Sequence, residues 1–252
     1  EGGTLIVNGG TYVAQQGNGI LVKNGDVTIN NGTFVGQDQA TNVPGSAASY
    51  GFKMYGGTVT INNGTFGNHD AAGCGAFVTW AASYNGQEAN NTNRSKAKIY
   101  GGTFDVGGTT AFAVHRNADV LFEPQNNNPI SVIGESTGLT VEMIDNGVDY
   151  DGRMYSSIIE IKGGHFEGWN NSGKNGIWIG EATFNPRTDL IISAGIFEGS
   201  SMGGGRAIHV SNGMDITWND LLVSGYNAYQ YGGTTLVNTW NVNDSGYYVE
   251  VR

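Results

Sequence analysis

The chain repeats one short pattern of apolar and polar positions. Two apolar residues flank a single residue, and an aromatic residue follows five positions after the second, with a glycine two positions before the aromatic. The copies run from Val27 to Phe34, Val59 to Phe66, Ala97 to Phe104, Ile159 to Phe166 and Leu190 to Phe197. A unit that recurs at this scale with irregular spacing is typical of a solenoid.

A second pattern alternates with the first and consists of a small residue followed by two apolar residues that flank a third. Its apolar pairs are Ile20/Val22, Phe52/Met54, Ala76/Val78, Phe112/Val114, Leu139/Val141, Ile177/Ile179 and Ile208/Val210. Successive copies begin 24 to 38 residues apart, as the coils of a solenoid would. Because strand side chains alternate between two faces, we predict that these residues point into the solenoid and that those between them point outward.

Together the two patterns predict three short strands per coil. Unequal turns and β-branched interiors are typical of a right-handed parallel β-helix, so we predict an all-β fold of about seven to nine coils. It would form one domain over residues 1–252. The aromatic residues that should stack in its interior are Tyr12, Phe34, Phe66, Phe104, Phe166 and Phe197. A β-sandwich is disfavoured, since its turns would recur about every 8 to 12 residues.

Three long insertions leave the same corner of the predicted coils, at about residues 81–95, 143–157 and 181–188. A β-helix does not need such insertions to fold, and long loops on a rigid scaffold commonly bind ligands. We therefore expect them to form a wall beside the outward face of the first strand in each coil.

That outward face carries aromatic and polar side chains together. Its aromatic residues are Tyr55, Phe77, Trp80 and Trp178, and its charged or ionisable residues are His115, Arg116, Glu142, Glu181 and His209. Outward aromatic rings beside polar groups are a common platform for sugar rings, so we predict that this face binds a glycan. The alternative that the long loops cover and bury these aromatics stays open.

The charge of the chain limits its partners. The chain has 22 acidic and 12 basic residues, which gives a formal net charge of −10. Nucleic acids and anionic membrane surfaces attract basic patches, so we expect neither as the main partner and favour a neutral or cationic ligand. The single cysteine, Cys74, excludes a disulfide framework within the chain. No run of 18 apolar residues occurs, so we expect no membrane insertion.

In its repeats the chain resembles the pectate-lyase-like superfamily of right-handed parallel β-helices. It also resembles, more loosely, the Gly-Gly-Thr-Phe solenoids of secreted bacterial surface and carbohydrate-binding proteins. The resemblance covers most of the chain and implies a secreted or cell-surface protein with a polysaccharide partner. The catalytic signatures of the pectin hydrolases, an Asn-Thr-Asp run, an Asp-Asp pair and Gly-His-Gly, are absent from the sequence, as is the Arg-containing lyase motif with its calcium-binding aspartates.

An enzyme on the same face is the alternative interpretation. Glu142 and Glu181 fall on adjacent predicted coils, where their carboxyl groups could serve as the acid and base of a glycosidase. His115 and Arg116 could instead deprotonate a uronic acid and neutralise its carboxylate in a lyase. A surface ion cluster explains the same four residues, so no catalytic residue is favoured.

A calcium site is a separate possibility. Asp145, Asp149 and Asp151 lie within one long insertion and offer the oxygen ligands that Ca2+ prefers. A solvated acidic turn explains them equally, and no other cofactor is predicted.

Three classes of function follow in order of preference: a non-catalytic glycan-binding module, a polysaccharide lyase or glycoside hydrolase, and a structural surface protein or fibre subunit. The chain begins within the repeat, which suggests a piece excised from a larger protein or a filament subunit. The start at Glu1–Tyr12 and the β-rich end at Tyr247–Val251 keep end-to-end self-association open, because unpaired strand edges must be covered.

Overall fold

The protein is a parallel β-helix. The computed structural model describes residues 2–14, 16–38, 49–67, 75–79, 94–108, 110–115, 118–142, 157–170, 174–180, 189–211, 215–230 and 232–252. Within these residues, successive coils stack their strands in parallel on three faces, which we name sheets I, II and III.

Sheet I contains the first strand of each coil. Its strands are β4 (Ile20–Val22), β7 (Tyr50–Met54), β10 (Gly75–Thr79), β13 (Thr110–His115), β16 (Thr137–Glu142), β18 (Asn175–Ile179) and β20 (Arg206–Val210).

Sheets II and III contain the two strands of the repeated aromatic segment. Sheet II is formed by β1 (Thr4–Val7), β5 (Asp26–Ile29), β8 (Thr58–Ile61), β11 (Ser95–Ile99), β14 (Ala118–Phe122) and the first parts of β17 (Ile158–Gly168) and β19 (Leu190–Glu198). Sheet III is formed by β2 (Thr11–Ala14), β6 (Thr33–Asp38), β9 (Thr65–Phe66), β12 (Gly102–Val106), β15 (Ile130–Gly134) and the last parts of β17 and β19. A short strand, β3 (Gln16–Gly17), pairs antiparallel with β6.

The interior is built from side chains that stack on their equivalents in the next coil. The rings of Tyr12, Phe34, Phe66 and Phe104 form one such column, with successive ring centroids 5.0, 5.0 and 4.8 Å apart. Phe166 and Phe197 stack in the same sheet at 5.6 Å. The predicted aromatic core is therefore confirmed for the five phenylalanines, which in-register stacking buries. Tyr12 stacks on Phe34 but is 38% exposed, because it lies in the first described coil.

Glycine sets the sharp corner before this aromatic column. Gly32 and Gly64 both have a φ of 139°, a conformation that side chains rarely adopt. The preceding Asn31 and Asn63 each accept a hydrogen bond from the glycine N–H, at 2.9 Å in both cases. The Asn-Gly corner thus supplies both the backbone freedom and a partner for a polar group.

The prediction of which side chains face the interior is wrong for one strand, β10. Phe77 lies in register with Phe52 and Phe112, is fully buried, and stacks on their rings at 4.9 and 4.4 Å. Ala76 is therefore the small residue that precedes the interior pair, and the pair itself is Phe77 and Thr79. Because Thr79 is polar, the search for two apolar residues that flank a third finds Ala76/Val78 in this coil. That pair is shifted by one residue from the true interior pair, so it lies on the opposite face of the strand. The other six predicted pairs have the expected register.

The C-terminal end of the solenoid is capped on all three sheets. On sheet III, β22 (Tyr248–Val251) pairs antiparallel with β19 and with β21 (Ala228–Gln230). On sheet II, Leu222, just after the short helix α1 (Trp218–Leu221), forms a bridge with Ile192. On sheet I, N–H groups of β20 donate to the carbonyl of Gly246 and to the side chain of Asn243, which lies within a 3-10 turn (Val242–Asp244).

The N-terminal end has no such cap among the described residues. Strands β1, β2 and β4 each form the edge of their sheet. Leu5, Ile6 and Val13 are 46, 60 and 50% exposed there. The two ends of the described solenoid therefore differ in how their strand edges are protected. No helix in the described part of the chain is long and apolar enough to cross a membrane.

The interior position of Phe77 can be tested by truncation. Phe77→Ala should lower the free energy of unfolding by about 3–5 kcal/mol, because it opens a cavity between two stacked rings. Leu21→Ala is the control, since Leu21 is outward on the same sheet and 44% exposed, and it should change stability by less than about 0.5 kcal/mol. Urea denaturation monitored by circular dichroism measures both, and an unchanged Phe77→Ala midpoint would contradict the register.

Candidate ligand-binding face

The outward face of sheet I contains a row of side chains that lie in register from coil to coil. We name it the outer row; its members are Leu21, Lys53, Val78, Ala113, Thr140, Trp178 and His209. The sequence prediction placed Phe77 in this row, but the correct member is Val78. Phe77 is a core residue and is unavailable to a ligand.

The middle of the outer row is closed to solvent. Val78, Ala113 and Thr140 are all buried although they point away from the interior of the solenoid. Thr140 lies within 3.0 Å of the Thr110 hydroxyl on the preceding coil. The centre of the outer row is therefore not accessible to a ligand. One partly exposed patch remains at each end of the row.

The N-terminal patch is built around a lysine between two tyrosines. The Lys53 ammonium lies 5.6 Å from the ring centroid of Tyr50 and 5.3 Å from that of Tyr55. Both distances allow cation–π attraction. Tyr50 also covers Gly75 of the next coil, because a methyl group there would overlap its ring. Tyr55 was predicted for this face and Tyr50 was not, since Tyr50 stands at the very start of its strand.

The C-terminal patch is built around Trp178. Its neighbours in the outer row are Thr140 on one side and His209 on the other. The indole lies against Gly180 of its own chain segment, because a methyl group on that glycine would overlap the six-membered ring. Trp178 is partly exposed, so part of this aromatic surface is accessible. The absence of a side chain at Gly180 thus leaves room for the indole ring beside polar side chains.

His209 connects Trp178 to two polar groups that the sequence analysis missed. Its Nδ1 lies 2.6 Å from Nη1 of Arg206 and 3.0 Å from Oδ1 of Asn243. In one tautomer Nδ1 accepts a hydrogen bond from Arg206, and in the other it donates one to Asn243. Asn243 is held in place because its Oδ1 also accepts the Val210 N–H at 2.9 Å. The contact joins residues 34 positions apart, which no local pattern reveals.

The imidazole favours its neutral form. Partial burial lowers the pKa of His209 below its ordinary value, and the charge of Arg206 lowers it further, while the hydrogen bond with Asn243 acts in the opposite direction. At neutral pH the patch therefore offers a neutral imidazole, a guanidinium, an amide and an indole. This set suits a polar ligand rich in hydroxyl groups.

Several residues predicted from the sequence cannot be placed. Trp80, Arg116 and Glu181, the three aspartates Asp145, Asp149 and Asp151, and nearly all of the three long insertions lie outside the described residues. His115 and Glu142 are paired in register on β13 and β16, as the predicted column required. Nothing is described of their side chains.

A second concave site lies in the C-terminal cap. It is a cleft of about 760 Å3 between β19 and the segment after α1, lined by Asn219, Tyr226, Asn227 and Asn238 with several aliphatic residues. Asn238 is fixed by donating to Asn227 at 2.8 Å and by accepting the Ala228 N–H at 2.7 Å. The sequence patterns did not point to this cleft because it lies outside the repeats. Its amides and tyrosine could also contact a neutral polar molecule.

Comparison with models of known protein families, with curated proteins and with solved structures found no match.

The protonation of His209 provides a test of the C-terminal patch. Arg206→Gln should raise the pKa of His209, because it removes a nearby positive charge. NMR titration of the imidazole C–H signals measures this change, and Arg252→Gln is the control because Arg252 pairs with Glu250 instead. An unchanged His209 titration in Arg206→Gln would contradict the contact.

The same depressed pKa has a consequence for stability. Between the folded-state pKa and the ordinary value of about 6.5, the unfolded chain binds more protons than the folded chain. His209 therefore contributes stability that is lost as the pH falls through this interval.

Proposed function

We propose that this protein is a non-catalytic, extracellular module that binds a neutral glycan on the outward face of sheet I. The observation that carries the proposal is the partly exposed ring of Trp178, which packs against Gly180 and lies in register with His209 on the next coil. A sugar ring would stack its C–H face on the indole, and its hydroxyl groups would reach the neighbouring amide and guanidinium groups.

The chemistry of the patch supports a glycan over other ligands. Arg206, His209 and Asn243 are linked by contacts of 2.6 and 3.0 Å, so their positions are restrained before a ligand arrives. Restrained polar groups lose little entropy on binding, which favours recognition of a hydroxylated ligand. The net charge of −10 disfavours polyanionic polysaccharides through long-range repulsion.

Membership of the pectate-lyase-like superfamily and a secreted or cell-surface location are parts of the same proposal. They rest on the resemblance of the repeats and on the parallel β-helix fold. A polysaccharide lyase or glycoside hydrolase acting on this face is the alternative, and it would release products where a binding module would not.

A second candidate function is assembly through the open end of the solenoid. The specific observation is the contrast between the two ends: β1, β2 and β4 are edge strands, whereas the last coil is covered by β22, Leu222 and Gly246. Growth of a fibre needs two adhesive ends, so this asymmetry favours pairing through the N-terminal end over an indefinite filament.

Moving the Trp178 ring without removing it tests the glycan site. Gly180→Ala should weaken binding by at least about tenfold, because the new methyl group displaces the indole. The φ of Gly180 lies outside the left-handed region, so the backbone accepts alanine without strain. Trp178→Ala should cause a loss at least as large. Binding to immobilised neutral glucans, mannans and galactans, with polygalacturonate as the acidic comparison, measures the effect.

The matched control is Trp240→Ala, since Trp240 is an exposed tryptophan in the cap and should leave binding unchanged. The same panel is assayed for released oligosaccharides. Unchanged affinity in both Gly180→Ala and Trp178→Ala would refute the site. Loss of binding only in Tyr226→Ala would place the glycan in the cap cleft instead, and product release would favour the enzyme.

A charge placed on the open edge tests assembly. Leu5→Lys adds an inward-directed charge to β1, which should prevent strand addition at that end. We expect it to abolish concentration-dependent dimers measured by light scattering coupled to size-exclusion chromatography. Val223→Lys, on the exposed surface of the cap, should leave the dimers intact. A monomer at all concentrations for the unmodified chain would exclude this function.

A further inference from the structure

Three ionisable side chains converge on the outward face of sheet III, away from the outer row. Nε2 of His165 lies 3.1 Å from a carboxylate oxygen of Glu198 and 3.9 Å from one of Glu167. One donor atom from each of the three residues lies within 4.8 Å of the other two. All three side chains are about one-quarter to one-third exposed, so the cluster is accessible from solvent.

The register of the solenoid brings these residues together. His165 and Glu167 are two positions apart on β17, so both point outward. Glu167 pairs directly with Glu198 on β19, which places the second carboxylate beside the first on the next coil. Both glutamates follow the interior phenylalanine of their repeat, and β-strand geometry therefore fixes the spacing of the cluster without any loop.

The donor set combines one imidazole nitrogen with two carboxylate oxygens. Bonds of about 2.0–2.2 Å to a tetrahedral Zn2+ place neighbouring donor atoms roughly 3.3–3.5 Å apart. The observed separations of 3.1 and 3.9 Å lie on either side of this value. Small side-chain rotations would therefore bring the three atoms into one coordination shell, which leaves a fourth position open for water.

The local charge also favours a cation. Glu198 lies beside Glu167 in register on the next coil, so two carboxylates face the same point of the surface. Asp105 stands in the same outward row, two coils before Glu167. Three carboxylates thus act on this point of the surface. A divalent ion would relieve their repulsion while using the imidazole as a ligand.

We propose that His165, Glu167 and Glu198 form a binding site for a borderline divalent transition-metal ion, with Zn2+ as the representative ion. Imidazole nitrogen favours zinc and its neighbours in the first transition series over Ca2+ and Mg2+, which prefer oxygen donors. The ion would join β17 to β19 and so clamp two successive coils. This proposal is independent of glycan binding and of the calcium site predicted at Asp145, Asp149 and Asp151.

The test is titration of the tag-free protein with Zn2+, followed by calorimetry and by thermal melting. We expect one saturable site, and at a hundredfold excess over Kd a rise in melting temperature of about 5–11 °C. His165→Ala and Glu198→Gln should each weaken binding by at least about tenfold and remove most of the shift. Ca2+ and Mg2+ at the same concentration should not compete. Co2+ provides a second readout, because ligation by the imidazole changes its visible absorption.

Two control variants make the outcome decisive. Glu160→Gln removes a carboxylate on the same strand, in its sheet II part, where Glu160 lies 3.4 Å from the Lys162 ammonium. It should leave Zn2+ affinity unchanged. His209→Asn removes a histidine from the other face and should also have no effect. Melting of each metal-free variant verifies folding. The proposal is overturned if no saturable binding occurs, or if His165→Ala and Glu198→Gln bind Zn2+ as tightly as the unmodified chain.

Discussion

Parallel, in-register stacking of the coils is the constraint on which every other feature of this structure depends. Each strand hydrogen-bonds to its equivalent in the coils before and after it, so one position of the repeat becomes a continuous column. Interior columns must then accept the same kind of side chain in every coil, which explains the stacked rings of Phe34, Phe66 and Phe104. Outward columns have no such restriction, and the chemistry of the protein varies there. Thr79 is a local exception that stays in register with Met54 and Val114 of the flanking coils.

The same constraint makes the two ends a structural problem, since a stack of parallel strands always has a first and a last edge. At the C-terminal end the problem is solved by changing strand direction: β22 runs antiparallel to β19 and cannot be extended by another coil of the same kind. The buried ring of Trp218 lies 5.9 Å from that of Phe197 and closes the aromatic column. The described N-terminal end keeps the geometry of an interior coil, with Tyr12 stacked on one face only. Among the described residues, edge strands are therefore left at the N-terminal end and covered at the C-terminal end.

The repeats predicted the architecture because interior columns leave a direct record in the sequence. The aromatic column and six of the seven pairs on sheet I follow from counting apolar positions, and only the coil with Thr79 was placed out of phase. Aligning the small residue Ala76 with Gly51 and Ala111 would have placed Phe77 correctly in the interior. The contacts of Arg206 and Asn243 with His209 could not be predicted, because they join a strand to the cap. The cluster of His165, Glu167 and Glu198 was within reach of the sequence, since aligning the repeats places both glutamates directly after the phenylalanine.

The outward side chains that come together in this fold include pairs from neighbouring coils that are far apart in the sequence. Trp178 and His209 are 31 positions apart in the sequence, as are Glu167 and Glu198, yet each pair is adjacent in register. A ligand held by such a pair contacts two coils at once, so its affinity depends on the backbone ladder between them. The backbone positions of these groups are fixed by the parallel ladder between the coils. Substitutions that shift the register by one residue should therefore abolish outward sites and interior packing together, because a single slip exchanges the two faces of every strand.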